Sequence, residues 1–197
     1  QSERTTEMPE YRDFYDAFPG TDWDQRGRGF GATQVRPLTT GAEENLLRLR
    51  GDGWSGENIL LHEFAHSYFE FGVLGLVGGT VLEGRLNQAY ARAIATGIWA
   101  NTYAETNAAE YWAEGVQSWF DNNLEANPPN GVHGHINTRN ELAQFDPALE
   151  SLITGLFSNS HWASYCDPTG TETTWINPLG ELDSTNCAFA REYPVLM

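Results

Sequence analysis

The sequence predicts a helix-dominated α+β fold with a small β-sheet and one buried helix near the middle of the chain. Three long stretches space their apolar residues three to four apart, as helices do, and a glycine-rich run near the N-terminus predicts an irregular edge strand. The 197 residues, of which 40% are hydrophobic, suffice for a single domain with a sizeable core. We expect an N-terminal β-containing part (1–54), a central part with the main helices (55–122) and a C-terminal helical and irregular part (123–197).

The N-terminal part combines a short helix with the edge strand. Aromatic residues at spacings of three and four predict an amphipathic helix that ends at Pro19-Gly20. These residues are Tyr11, Phe14, Tyr15 and Phe18. The run from Gly27 to Thr33 predicts the strand, because glycines lower strand propensity but allow another backbone to approach closely.

The central part contains three predicted helices. Ser55 is a good N-cap for the first helix, over about 56–71, and apolar residues fall almost all round it, which predicts burial. The second helix covers about 81–99. The third covers about 107–122, with Asn107 as its N-cap. After a Pro-Pro-Asn-Gly break, two shorter helices are predicted over about 139–145 and 147–157.

The first central helix carries His62-Glu63-Phe64-Ala65-His66, an H-E-x-x-H motif. The two histidines lie about 40° apart around the axis and about 6 Å apart along it, so both imidazoles can reach one metal ion. Glu63 lies about 60° from His66, where it can act as general base on an attacking water. One Zn²⁺ per chain is the expected ion, because zinc accepts imidazole and carboxylate ligands in a tetrahedral site. The alternative is a helix that places two histidines four apart without a metal.

Two acidic residues of the third helix complete the predicted site. Glu110 lies in the first turn and is the expected third ligand, while Glu114 follows one turn later and can accept a hydrogen bond from a ligating imidazole. Asn107, at the start of the same helix, is expected to support the ligands. A solvated acidic face is the alternative in a protein this acidic.

These residues resemble the gluzincin pattern of thermolysin-like metallopeptidases. They resemble more closely the catalytic domain of the anthrax lethal factor group, which includes the Pro-Pro endopeptidases. That group has a Tyr seven residues before the ligand Glu, then an aromatic pair, Ala and a second Glu. This sequence has Tyr103, Tyr111-Trp112, Ala113 and Glu114 at those places. The resemblance covers about residues 27–122 and implies a single zincin-like metallopeptidase domain.

The resemblance also implies roles for further residues. Tyr103 would donate a hydrogen bond to the oxyanion formed during amide hydrolysis, although an ordinary core tyrosine is the alternative. An extended polypeptide substrate would pair with the edge strand over Gly29 to Val35, which makes Gly31, Ala32 and Thr33 candidate cleft residues.

Polar residues after the Pro-Pro-Asn-Gly break are further candidates for the cleft. They are His133, His135 and Arg139, and the two histidines could instead bind a second metal ion. Ordinary polar loop groups are the alternative for all three.

Composition and charge indicate the partners. The formal net charge is −16, from 27 acidic and 11 basic residues, and it repels nucleic-acid phosphates and anionic lipid heads. We therefore expect a monomer that binds neither nucleic acid nor membranes and acts on a polypeptide, with cationic substrates favoured. All basic residues are Arg. Avoidance of self-cleavage beside Lys would explain this, and so would compositional bias in the source organism.

The ends of the chain predict a secreted, extracellular protein. The sequence begins at Gln1, which is typical of a mature N-terminus left after a signal peptide or propeptide is removed, with an artificially trimmed chain as the alternative. Cys166 and Cys187 fit one disulfide that closes a C-terminal loop, or else two unpaired thiols.

Three functions are compatible with these residues. The first is a secreted zinc endopeptidase. The second is a zinc amidase that acts on cell-wall peptides or other non-protein amides. The third is a binding module that retains zinc without catalysis. Because either Glu63 or Tyr103 could be lost without loss of the metal, the presence of both argues against the third.

Overall fold

The computed structural model describes residues 4–13, 19–23, 29–47, 49 and 52–157. The α-helices in these ranges are α1 (Glu43–Leu46), α2 (Ile59–Ser67), α3 (Gly79–Thr96), α4 (Ala108–Trp119), α5 (Arg139–Phe145) and α6 (Pro147–Thr154). A π-helix (Tyr68–Val73) extends α2, and 3₁₀ turns lie at Thr5–Glu7, Pro9–Tyr11 and Tyr103–Glu105. Phe14, Tyr15, Phe18, Cys166 and Cys187 are outside the described residues, so the N-terminal helix is untested beyond Asp13 and the disulfide is untested.

The helix-dominated fold is confirmed, but the expected β-sheet is absent from the described residues. Within them, the glycine-rich run forms one isolated antiparallel bridge, between Phe30 and Thr40. The backbone packs against α2 instead of against a second strand, and the N–H of Ala32 donates to Oγ of Ser67 at 2.8 Å. A helix surface cannot continue a strand ladder, so the pairing ends after one bridge. Within the part of the chain that the structure describes, the α+β prediction is therefore wrong in its β component.

Helix α2 begins later than predicted because Asn58, and not Ser55, is its N-cap. The Asn58 side chain accepts a hydrogen bond from the N–H of Leu61 at 2.9 Å. The helix is buried on one side only. Leu61 and Ala65 face the core, whereas Phe64 is 49% exposed, so the prediction of burial all round is wrong.

Helix α4 lies at the centre of the described fold, where it contacts α2, α3, α5 and α6. Every residue from Tyr111 to Trp119 is buried. The prediction of Asn107 as N-cap is confirmed, since its side chain accepts hydrogen bonds from the backbone N–H groups of Ala109 and Glu110. The indole N–H of Trp112 donates to the carbonyl of Ala65 at 2.9 Å, which fixes α4 against α2.

The remaining helices pack around α4 close to their predicted places. Helix α3 buries Leu86, Ala89 and Ala93, and α5 has the predicted bounds. Helix α6 ends three residues earlier than predicted, at Thr154. Among the described residues, no helix combines the length and apolar character that a membrane span requires.

Candidate metal centre

Helices α2 and α4 bring the three predicted ligands together. Nε2 of His62 and Nε2 of His66 are 3.2 Å apart, and Oε2 of Glu110 lies 3.0 Å from the first and 3.1 Å from the second. Zinc–nitrogen bonds of about 2.05 Å in a tetrahedral site would separate ligand atoms by about 3.3 Å. The separations of these three atoms therefore fit a zinc site, and among the described residues this is the group that could hold a metal ion.

The orientation of His62 is set by Gln117, a residue that the sequence analysis did not identify. The buried Gln117 amide donates to the carbonyl of Asn58 at 3.1 Å and to Oε2 of Glu57 at 3.3 Å. Its oxygen is therefore the atom that lies 2.8 Å from Nδ1 of His62. Because an amide oxygen only accepts, Nδ1 carries a proton, so His62 in its neutral form would present the lone pair of Nε2 to a metal ion.

Glu114 also lies behind His62, as predicted, but it shares this place with Gln117. Oε1 of Glu114 is 3.4 Å from Nδ1 of His62, a longer distance than that of the Gln117 oxygen. The other carboxylate oxygen accepts a hydrogen bond from the amide of Asn123 at 2.9 Å. With only 3% of its surface exposed, Glu114 is a buried negative charge that favours a cation at the ligand cluster.

The ionisable side chains of the candidate ligands interact strongly with one another. Burial lowers the pKa of His62, but hydrogen bonds to Glu110 and Glu114 outweigh it and leave this pKa well above its ordinary value. Burial raises the pKa of Glu110, but hydrogen bonds from His62 and His66 outweigh this effect and lower the pKa to about 2. Glu110 is therefore ionised at neutral pH, as a metal ligand must be.

Glu63 lies beside the ligands and beneath the glycine-rich segment. Burial raises the pKa of its carboxyl group, an effect that His62 and His66 only partly offset. A hydrogen bond from the backbone of Gly31 holds the carboxylate. The segment passes so close that a β-carbon on Gly29 would lie 2.8 Å from Oε1 of Glu63. Glycine at this position therefore allows the contact with the candidate base.

The candidate cleft residues Gly31, Ala32 and Thr33 lie next to α2, but their N–H groups are already in use. Phe30 donates to the carbonyl of Thr40, Gly31 to Glu63, Ala32 to Ser67, and Thr33 to the carbonyl of Arg36. An added strand could not pair with these four N–H groups unless internal hydrogen bonds broke. The segment therefore supports the ligand helix, and the N–H groups from Phe30 to Thr33 are not free for the expected pairing with substrate.

Tyr103 lies next to two of the candidate ligands, Glu110 and His62. Its hydroxyl donates to Oε1 of Glu110 at 3.4 Å, and its ring centroid is 6.1 Å from that of His62. The side chain is 37% exposed, and its backbone N–H donates to the carbonyl of Val132 at 2.7 Å. A partly exposed tyrosine whose hydroxyl lies near the Glu110 carboxylate is not an ordinary core tyrosine.

The other three cleft candidates have partners away from the three ligand atoms. Nε2 of His133 lies 3.3 Å from Oε1 of Glu57. The ring of His135 packs edge-on against Phe145, with centroids 4.8 Å apart. The Arg139 guanidinium lies 3.6 Å from the centroid of the Trp119 ring, and its Nε donates to the Trp119 carbonyl. The structure therefore does not place His133, His135 or Arg139 at the ligand cluster.

Comparisons with known proteins identify no relative, since no family model, no curated protein and no solved structure matches this chain. The resemblance to the anthrax lethal factor group therefore stays a prediction from the motifs. The case for a metal centre depends on the geometry and charge of residues on α2 and α4.

Proposed function

We propose that this protein is a zinc-dependent hydrolase of amide bonds, acting as an endopeptidase on polypeptides. One observation carries the proposal. Two imidazole nitrogens and one carboxylate oxygen converge at 3.0–3.2 Å beside the carboxylate of Glu63. His62, His66 and Glu110 would hold the ion, and the position of Glu63 argues against a binding module without catalysis.

Each residue of the site has a chemical part in this proposal. A bound zinc ion would supply Lewis acidity for the scissile carbonyl and lower the pKa of water. Glu63 takes a proton from the attacking water and later passes one to the leaving amine. Tyr103 donates a hydrogen bond to the oxyanion, where one well-placed donor is worth a factor of about 100 or more in rate.

The setting of the reaction is also part of the proposal. The charge of −16 favours cationic polypeptides as substrates and disfavours nucleic acids and anionic lipids. We propose that the protein acts outside the cell, because its two cysteines fit one disulfide, which an oxidising compartment would maintain. A non-protein amide would need the same ligands and base, so the amidase alternative differs only in its substrate.

The first test is the zinc content of wild type and of Glu110→Ala, purified without chelators and measured by elemental analysis. We expect about one zinc per wild-type chain and a large loss in the variant. Glu83→Ala is the matched control, because Glu83 is exposed on α3. No zinc in wild type would overturn the proposal. Hydrolysis of casein, compared with release of peptides from cell-wall material, then separates the endopeptidase from the amidase.

A further inference from the structure

The loop from Pro128 to Gly134 contacts Tyr103 through its backbone and Glu57 through the side chain of His133. Its backbone accepts a hydrogen bond from Tyr103, through the carbonyl of Val132 at 2.7 Å. Two further bonds tie the loop to Asn101, whose carbonyl accepts from Gly131 and whose side chain donates to Pro129. The next residue after Val132 is His133, whose side chain is buried and lies against Glu57.

His133 forms a buried pair with Glu57, just before the start of α2. His133 is 5% exposed and Glu57 is 4% exposed, and Nε2 lies 3.3 Å from Oε1. A carboxylate so deeply buried is costly unless a positive or donating group faces it. Among the described residues, His133 is the group that faces Oε1, so removal of His133 would leave this oxygen without a charge partner.

Glu57 connects this pair to the ligands through Gln117. Oε2 of Glu57 accepts from the Gln117 amide at 3.3 Å, and the Gln117 oxygen faces Nδ1 of His62. A flipped Gln117 amide would place its oxygen against two acceptors, the Glu57 carboxylate and the Asn58 carbonyl. It would also place donor hydrogens at Nδ1 and so favour the tautomer of His62 whose proton is on Nε2. That tautomer cannot donate its Nε2 lone pair to a metal ion.

We propose that His133 is a positioning residue for metal binding, which holds Glu57 so that Gln117 fixes the ligating tautomer of His62. The inference rests on the proposed zinc site and assigns a role to the loop that follows the active-site helices. His133 acts on His62 through two side chains in series, Glu57 and Gln117, and touches none of the ligands. The alternative is that His133 only anchors the loop through packing.

The test compares His133→Gln with His133→Asn, two amides of different reach. The amide nitrogen of Gln takes the place of Nε2 and still reaches Glu57, whereas that of Asn is too short. His135→Gln is the matched control, since His135 lies in the same segment but packs against Phe145. For each protein, competition with a chelator gives the zinc dissociation constant, and the visible spectrum of the Co²⁺ form reports ligand geometry.

We expect His133→Asn to bind zinc about tenfold more weakly than wild type, with an altered Co²⁺ spectrum. We expect His133→Gln and His135→Gln to stay within about twofold of wild type. Wild-type affinity and spectrum in His133→Asn would overturn this inference alone. Equal weakening in both His133 variants would do the same, because it would assign the effect to packing. Failure of wild type to bind zinc would instead overturn the proposed function, and this inference with it.

Discussion

Gly31 lies so close to His66 that a β-carbon built on Gly31 would be 2.7 Å from the β-carbon of His66. Non-bonded carbon atoms in proteins do not approach this closely, so Gly31→Ala must displace either the glycine-rich segment or the ligand helix. We expect the variant to bind zinc more weakly and to lose about 1–3 kcal/mol of stability. Chemical denaturation with chelator present, and zinc titration, measure the two effects separately.

Gly53→Ala is the control for this substitution. A β-carbon on Gly53 would meet no atom within 4 Å, and its backbone is not in the left-handed region. We expect wild-type zinc affinity in this variant. Wild-type affinity and stability in Gly31→Ala as well would show that the segment does not lie against α2 as described.

The carboxylate of Glu63 is predicted to be needed for catalysis but not for zinc. Glu63→Gln keeps the size of the side chain and removes its ability to take a proton, so we expect at least about a 100-fold loss of casein hydrolysis. Zinc content should remain at the wild-type level. Glu83→Gln, on the exposed face of α3, should change neither quantity. Full activity in Glu63→Gln would exclude Glu63 as the general base.

The hydroxyl of Tyr103 is predicted to stabilise the transition state. Tyr103→Phe removes the donor that lies 3.4 Å from Oε1 of Glu110 and keeps the ring. We expect kcat to fall about 100-fold, with KM and zinc affinity close to wild type. Tyr90→Phe is the control, because the Tyr90 hydroxyl donates to the backbone of Glu105 and faces no ligand. A change in KM alone would point to substrate binding instead.

The parts of the site that follow local rules could be predicted from sequence. The spacing of His62 and His66 places both on one face of any α-helix. Asn107 has the residue type and position of an N-cap, and Glu110 follows it within the first turn. None of these inferences required knowledge of how the helices cross, and the structure brings the two histidines and Glu110 together.

The parts that depend on long-range packing could not be predicted. Glu114 and Gln117 both lie on the side of α4 that carries Glu110, and only the crossing of α2 and α4 decides which one faces His62 most closely. The hydrogen bond from Trp112 to Ala65 is one of the contacts that hold α4 against α2 at this crossing. The pairing of His133 with Glu57 joins residues far apart in sequence. The glycine-rich run was predicted to be a strand because its residue types are compatible with one. Its packing partner is the surface of α2, and local composition does not indicate that contact.

The charge of the His133–Glu57 pair predicts a specific pH dependence of stability. The Glu57 carboxylate raises the pKa of His133, and burial only partly opposes this effect; Glu114 contributes in the same direction. Because the folded pKa is above the unfolded value of about 6.5, protonated His133 stabilises the fold fully below that pH. The contribution is lost as pH rises through the folded pKa, where His133 releases its proton and leaves Glu57 without a cation.

His133→Gln cannot gain this proton, so the difference in unfolding free energy between wild type and His133→Gln isolates the pair. We expect the advantage of wild type to be largest below about pH 6.5 and to shrink as pH rises. Urea denaturation from about pH 5 to about pH 9 measures it, with chelator present because zinc binding releases protons of its own. The raised pKa of His62 is common to both proteins and cancels in the difference. A difference that does not change with pH would mean that His133 is uncharged beside Glu57, and that its hold on the carboxylate is a neutral hydrogen bond.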